Sequence, residues 1–495
     1  MAGRPLIDWR IVARFMSLLV LVNGVFMLLA AMGSLFYQEG VFISLLSSSG
    51  ALLLLGAIGL FYFKRFKPDS FRREGYIIVT LGWLLMAITG TLPYIITGVL
   101  PSFTDAFFET MSGYTTVGAS IIPDLELVPH GVLLWRSLTQ WIGGMGMIVL
   151  AIAILPMLGV GGMQLFMAEA PGLGGDKLHP RITDTAKRLW LIYIGFTILQ
   201  ILLLNIAGMP MFDAINHAFT TLSTGGFSTK NESIAFYNSL PLIQVIITVF
   251  MFFGGMNFIL TYYALKGKFN KVFLDEEFRA YILIVCIFSI LVIASIYLEY
   301  WEGVHAFSEV GETVRHSFFQ IVSIVTTTGF ASTHYEFWTP FASLLFFALM
   351  FIGGSAQSTS GGVKIVRHLI LLKNGILEFR RAFHPRAVLP VRYNKRAVSE
   401  QIVSKILAFF TLYMLIFVIG VLGFTFLGVS PKAASASVAS TLGNVGGAFG
   451  DWSLGSDFTE YSRLAKLWAC FLMLIGRLEL FTVLILFTPY FWKKI

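Results

Sequence analysis

The chain has 495 residues, of which 56% are hydrophobic and only 13% charged, and its formal net charge is +8. Soluble domains carry about 25% charged residues, so this composition, with a mean hydropathy of +0.79, excludes a soluble globular class and predicts an all-α polytopic membrane protein. The basic excess lies in short segments between apolar spans, which follows the positive-inside pattern rather than a nucleic-acid-binding face. The two cysteines, Cys286 and Cys470, sit in apolar runs that offer neither a disulfide framework nor a metal site.

The N-terminus carries Arg4, Arg10 and Arg14 at the start of an apolar stretch with no small-residue cleavage site, which reads as a first membrane helix rather than a removed signal peptide. Residues 11–36 and 41–63 are two long spans joined by a polar turn, and together they make an accessory region, residues 1–70. Lys64, Arg65, Lys67, Arg72 and Arg73 then mark a cytoplasmic connection. The next span, about 76–99, is followed from Asp105 by an apolar run of only a dozen residues. At ~1.5 Å rise per residue such a helix cannot cross a hydrocarbon core of ~30 Å. It must enter the membrane and turn back, and it runs directly into Thr115-Thr116-Val117-Gly118. A full span, 130–158, completes a first unit over residues 71–165.

The same order returns three times, in units 166–270, 271–398 and 399–495. Half-helices starting near Asp213, Glu312 and Ser430-Pro431 lead into Ser223-Thr224-Gly225, Thr327-Thr328-Gly329 and Asn444-Val445-Gly446. Aligned on Gly118, Gly225, Gly329 and Gly446, the units recur at roughly a hundred residues, far longer than a solenoid repeat. Each is the length of one helix, a half-helix with its loop, and a second helix. Four of them are expected to enclose a pore by pseudo-fourfold symmetry.

Charge gives the expected orientation. Lys177, Arg181, Lys187 and Arg188 face inside, as do Lys266, Lys268 and Lys271, the run Arg367, Lys373, Arg380, Arg381, Arg386, Arg392 and Lys395, and the terminal Lys493-Lys494. Both termini are then cytoplasmic. Asp124 and Glu126, Glu299, Glu302, Glu309 and Glu312, and Asp451, Asp457 and Glu460 fall on the other side, so all four glycine loops lie towards the outer face, where acidic mouths would concentrate a cation. The half-helices enter from that side with their C-terminal, electronegative ends aimed at the loops.

Thr-Val-Gly is the chemistry of a potassium filter: consecutive carbonyls replace the ion's water shell, and glycine supplies the backbone angles that aim them. The expected K⁺ ligands are Thr116, Val117, Ser223, Thr224, Thr327, Thr328, Asn444 and Val445. Gly353-Gly354-Ser355-Ala356-Gln357-Ser358-Thr359-Ser360-Gly361-Gly362 interrupts what would otherwise be one span, 341–372. Non-helical backbone at membrane depth is tolerated where it lines protein or water, so the run is expected to be a plug below the filter, with close helix packing through small residues as the alternative. Arg477 lies within an expected last span, 464–491, where a charge faces a cavity or pairs. It either forms a barrier in the pore or pairs with another helix. Glu479, two residues on, lies on a different helix face and is no i,i+4 partner. Lys364 has the same two readings or snorkels to the cytoplasm. The eight histidines show no metal-ligand spacing, and no nucleotide-binding motif or catalytic constellation is present, which argues against an enzyme.

These residues resemble the Trk/Ktr/HKT superfamily of potassium transporters, and within it the TrkH-type bacterial uptake subunits. The two extra N-terminal spans, Ala168-Glu169-Ala170-Pro171-Gly172 with Lys177-Leu178-His179-Pro180-Arg181, the glycine loop and Gly476-Arg477-Leu478-Glu479 carry the likeness over nearly the whole chain. It implies a multi-pass protein of the bacterial inner membrane that takes up K⁺ through a channel-like pore. It makes Gly353, Gly354, Gln357, Gly361 and Gly362 part of an intramembrane gating loop, in which the family usually has glycine at the position of Gln357. It also implies a homodimer controlled by a cytosolic nucleotide-binding ring of the TrkA type, with no organic cofactor in this chain. Na⁺- or H⁺-coupled symport is the alternative to a passive pore.

Overall fold

The computed structural model describes residues 7–63, 72–149, 182–301, 310–333, 338–446 and 458–493. The expected cytoplasmic markers Lys64–Lys67 and Ala168–Arg181, the acids Glu302, Glu309, Asp451 and Asp457, and Lys494 lie outside the described residues.

Among the described residues the regular structure is helical apart from a small hairpin, β1 (Arg392–Tyr393) with β2 (Arg396–Ala397). The accessory helices are α1 (Trp9–Phe36) and α2 (Phe42–Tyr62). The first unit contributes α3 (Arg72–Gly90), α4 (Leu92–Thr97), the half-helix α5 (Phe103–Tyr114) and α6 (His130–Val149). The second has α7 (Ile182–Ile206), the half-helix α8 (Met211–Leu222), α9 (Pro241–Gly255), α10 (Phe258–Leu265) and the short α11 (Phe269–Phe273). The third has α12 (Glu276–Trp301), the half-helix α13 (Val310–Val325), α14 (Pro340–Leu349) and α15 (Ile365–Phe383). The fourth has α16 (Glu400–Phe426), the half-helix α17 (Pro431–Gly443), α18 (Arg463–Arg477), α19 (Leu480–Leu484) and α20 (Pro489–Trp492). Among the described residues six helices are long and apolar enough to span a membrane, and two more candidates are bent pairs.

Packing follows a cycle. Each half-helix packs between the helices of its own unit, and α6, α9 and α18 also pack against half-helices α8, α13 and α5 respectively. The fourth unit therefore closes on the first. The accessory helices support this arrangement as well as flanking it. The Asn23 amide of α1 donates to Met86 O (3.1 Å), and its carbonyl oxygen accepts from the Tyr114 hydroxyl (2.5 Å) at the end of α5.

Two helices expected to be continuous are broken. α9 and α10 meet at 110°, where Asn257 starts a new helix by accepting a hydrogen bond from the Ile259 N–H (2.9 Å). The expected last span bends by 115° after Arg477, because Glu479 takes a positive φ of 58° and its carboxylate is held by Arg367 at 2.7 Å. The half-helix starts are also less uniform than expected: Ser430 caps α17 through the Ala433 N–H, but α5 is preceded by Ser102 without a side-chain cap. Asp213 binds the Thr229 and Tyr237 hydroxyls, and Asp105 pairs with Lys466 at 2.7 Å.

Candidate ion pathway

The four glycine loops share one backbone conformation. Each half-helix ends at a non-glycine residue in the left-handed region: Thr116 (φ 53°), Thr224 (53°), Thr327 (56°) and Asn444 (51°). The next residue, Val117, Gly225, Thr328 or Val445, donates its N–H back to Ser112, Thr220, Ser323 or Ser440 O at 2.8–3.0 Å. This is a Schellman-type helix end, which satisfies carbonyls that the helix terminus leaves free. The residue after that is a glycine with positive φ: Gly118 (83°), Gly226 (76°), Gly329 (80°) and Gly446 (64°). The structural counterpart of Gly118 is thus Gly226, and the sequence alignment on Gly225 is off by one residue. Gly225 is glycine for another reason. Its amide plane is bracketed by Gln140 of α6, which donates to Gly225 O (2.7 Å) and accepts from Phe227 N (3.0 Å), leaving no room for a side chain.

The loops also touch in a fixed sense. A Cβ on Gly118 would fall on Gly225 O, one on Gly226 on Thr328 O, and one on Gly446 on Val117 O. Three glycines thus each abut the carbonyl of the same position in the next loop, and the fourth loop meets the first. The surrounding small residues allow this approach: Gly143 of α6 lies against Tyr114 O, Gly254 of α9 against Thr224, and Gly476 of α18 against Leu442 O and Asn444.

The expected gating loop, residues 353–362 in the connection between α14 and α15, lies against this ring. The Thr359 hydroxyl is 2.9 Å from Leu222 O and 3.4 Å from Thr224 Oγ1. Gly361 N donates to Thr327 Oγ1 at 2.6 Å, and its Cα backs onto Gly443 and Asn444. The break in α9–α10 frees Gly254 O and Gly255 O, which accept from Thr359 N (3.2 Å) and Ser355 N (2.8 Å). The loop closes on itself where Gly353 N meets Val363 O (2.9 Å), and buried Glu277 of α12 accepts from both Ala356 N (2.7 Å) and Val366 N (3.2 Å).

Arg477 belongs to the same assembly. Its fully buried guanidinium donates to Thr359 O (2.7 Å) and to Gly143 O of α6 (3.2 Å), fastening the loop to the first unit. It has no bond to Glu479, which pairs instead with Arg367. Lys364 does not snorkel outward. It is buried and folds back to donate to Ser360 O (2.5 Å), because the loop offers it a carbonyl that would otherwise go unpaired. The Gln357 side-chain amide, expected either to hold the loop by hydrogen bonds or to line the path, makes no hydrogen bond among the described residues. Its φ of 58° and its 7% exposure make it both strained and buried.

Sequence reasoning missed a set of residues behind the loops. Glu109, His217, Gln320 and Ser437 occupy the same offset before the four left-handed residues, and each bonds to chain beyond its glycine. Glu109 accepts from Ser120 Oγ and Ile121 N, both at 3.0 Å. The other three meet Ser228 Oγ (3.0 Å), Ser332 N (3.2 Å) and Tyr461 OH (2.9 Å). Their chemical types differ, so no motif connects them; only the offset does. Outside the helices, the Asn231 amide beside Asp124 (2.8 Å) holds that carboxyl below its usual range. This contact joins the segments that follow the first two loops.

The arrangement has counterparts. Residues 48–494 match the TrkH family profile, described as a cation transport protein. The chain belongs to the TrkH family. It is 40% identical over 489 residues to the "Trk system potassium uptake protein TrkH" of Escherichia coli K12, covering 98% of this chain and 100% of the relative. It is also 34% identical over 489 residues to the "Trk system potassium uptake protein TrkG" of the same organism, covering 98% and 99%. The crystal structure of the potassium transporter TrkH from Vibrio parahaemolyticus superposes with a TM-score of 0.90 at 36% identity, over 98% of this chain and 100% of that one. Membership of the TrkH family makes this a multi-pass transport protein rather than an enzyme.

Within this TrkH-family loop, replacing Gln357 by glycine is expected to raise stability by roughly 1 kcal/mol. It removes a left-handed non-glycine residue and an unpaired buried amide, partly offset by added backbone freedom. A higher melting temperature of the purified protein is the expected reading. An unchanged or lower one would show that the glutamine is neither strained nor unsatisfied.

Proposed function

We infer that this chain passes K⁺ inward across the bacterial inner membrane, through a pore at the centre of four pseudo-fourfold helix–half-helix–helix repeats. The repeats are residues 71–165, 166–270, 271–398 and 399–495, with 1–70 accessory. The observation that carries this reading is the common register of the four loops, three of which abut the next in one rotational sense. A ring of carbonyls is what a dehydrated cation requires. In that register the ligands come from Thr116 and Val117, Thr224 and Gly225, Thr327 and Thr328, and Asn444 and Val445, with Ser223 one step below. The half-helices aim their electronegative ends at the same place. The names of the relatives support potassium as the cargo.

The loop bearing Gly353, Gly354, Gln357, Gly361 and Gly362 acts as the gate, held shut by Arg477, with Lys364 stiffening its inner end. The membrane potential, worth ~2.3 kcal/mol per charge per 100 mV, suffices as driving force. The family resemblance supports a homodimer with cytoplasmic termini and a TrkA-type ring, docked on the basic inner side where Arg380 and Arg381 end α15.

The deciding measurement is ⁸⁶Rb⁺ uptake into liposomes containing the purified protein under a K⁺ gradient alone. Uptake competed by K⁺ far better than by Na⁺ is the expected result. Uptake only when a Na⁺ or pH gradient is imposed would replace the passive pore by a coupled symporter.

A further inference from the structure

We propose that the buried Glu109–Arg136 pair is a positioning strut that sets K⁺-over-Na⁺ discrimination by fixing the first two filter loops to one another. The proposal rests on the transport reading above.

Of the four residues that occupy the shared offset behind the loops, only Glu109 is an acid. Glu109 and Arg136 are 0% and 2% exposed, and the Arg136 Nε donates to the Glu109 carboxylate at 2.6 Å. The same guanidinium donates through Nη1 to Ser228 O at 2.8 Å and lies 3.5 Å from the centroid of the Phe227 ring. Glu109 meanwhile accepts from Ser120 Oγ and Ile121 N. One ion pair therefore grips the chain just beyond Gly118 and the chain just beyond Gly226. Between those grips lies the junction at which Gly118 abuts Gly225 O.

A buried ion pair is weak evidence for stability, because desolvation offsets the attraction, and a packed apolar pair often does as well. What it does provide is fixed geometry: the planar guanidinium bonds two partners in set directions. Discrimination between K⁺ and Na⁺ depends on the spacing and stiffness of carbonyls that the ion itself pulls inward. A strut tying the chain just beyond Gly118 to the chain just beyond Gly226 resists that pull at one side of the ring. The neutral bonds from His217 to Ser228, Gln320 to Ser332 and Ser437 to Tyr461 each run to the following chain of the same unit.

The test is ⁸⁶Rb⁺ uptake into liposomes by the full-length protein, competed with K⁺ or Na⁺. Glu109→Gln keeps one acceptor oxygen, for the Ile121 N–H, but removes the charge that holds Arg136. Arg136→Lys keeps the charge but replaces the rigid planar fork by a flexible ammonium that holds Glu109 and Ser228 O in no fixed direction. Both are expected to lower the K⁺-to-Na⁺ competition ratio by about tenfold while uptake persists, the scale of one lost charge-assisted bond. Ser120→Ala, which removes one bond and leaves the pair intact, is expected to lower it by about threefold. His217→Gln, which keeps a neutral bond, should leave it within about twofold. A wild-type ratio in folded Glu109→Gln and Arg136→Lys overturns the strut. If neither folds, a wild-type ratio in Ser120→Ala overturns it. Absence of uptake by the unsubstituted protein under every gradient would instead remove the transport reading on which the strut rests.

Discussion

Gly226→Ser is expected to reduce K⁺ flux by about a hundredfold, whereas Gly225→Ser should cost far less. At Gly226 a side chain meets two obstacles. The residue has φ 76°, where an L-residue is strained by roughly 1–2 kcal/mol, and its Cβ would fall on the Thr328 carbonyl, which is backbone and part of the next filter loop. Relief requires moving that carbonyl, which is one of the groups proposed to hold the ion. At Gly225 the obstacle is the amide end of Gln140, a side chain that can swing aside at the loss of its bonds to Gly225 O and Phe227 N. ⁸⁶Rb⁺ uptake with Na⁺ competition, run on both variants, distinguishes the two positions. Equal effects, or a larger one at Gly225, would return the filter register to Gly225.

Arg477→Ala is expected to raise basal uptake on the order of a hundredfold. The guanidinium ties Thr359 O of the proposed gating loop to Gly143 O of α6, and bonds to a charged donor contribute ~1.5–3 kcal/mol each. Losing both shifts a closed loop towards open by about two orders of magnitude in population. Arg477→Lys retains a charge but reaches one carbonyl at a time, so an intermediate rise is expected. Single-channel or liposome flux measurements on both variants give the reading. A flux that stays flat or falls with alanine would mean that Arg477 supports the open path and does not latch the loop.

The architecture was legible because its signals are local. Half-helices too short to span, followed by Thr-Val-Gly or a near relative, recur at intervals of roughly a hundred residues. The register of the second filter was not legible, since Gly225 and Gly226 are adjacent and identical in sequence. Only the backbone angle and the Gln140 contact tell them apart. The breaks after Gly255 and after Arg477 were missed because no proline marks them. Yet Gly-Gly pairs recur at 143–144, 254–255 and 353–354, with Gly476 in the fourth unit, and the chain leaves helical geometry just beyond Gly255 and Gly476, while α14 ends at Leu349, before the pair at 353–354. That pattern was available. The residues behind the filters were invisible for a different reason: an acid, an imidazole, an amide and a hydroxyl satisfy the same geometric demand, so no residue type repeats. Gln357 was noticed for its length, while its backbone angle proved the more telling property.

The contact of Gly446 with Val117 O has a bearing on how the protein is made. Synthesis runs from the N-terminus, so the first three loops exist before residue 446 has left the ribosome. The assembly stays open on one side until nearly the whole chain has been inserted, and its last junction brings together segments far apart in sequence. A nascent or truncated chain therefore lacks one junction of the proposed ring, and the proposed K⁺ path is completed only when the protein is.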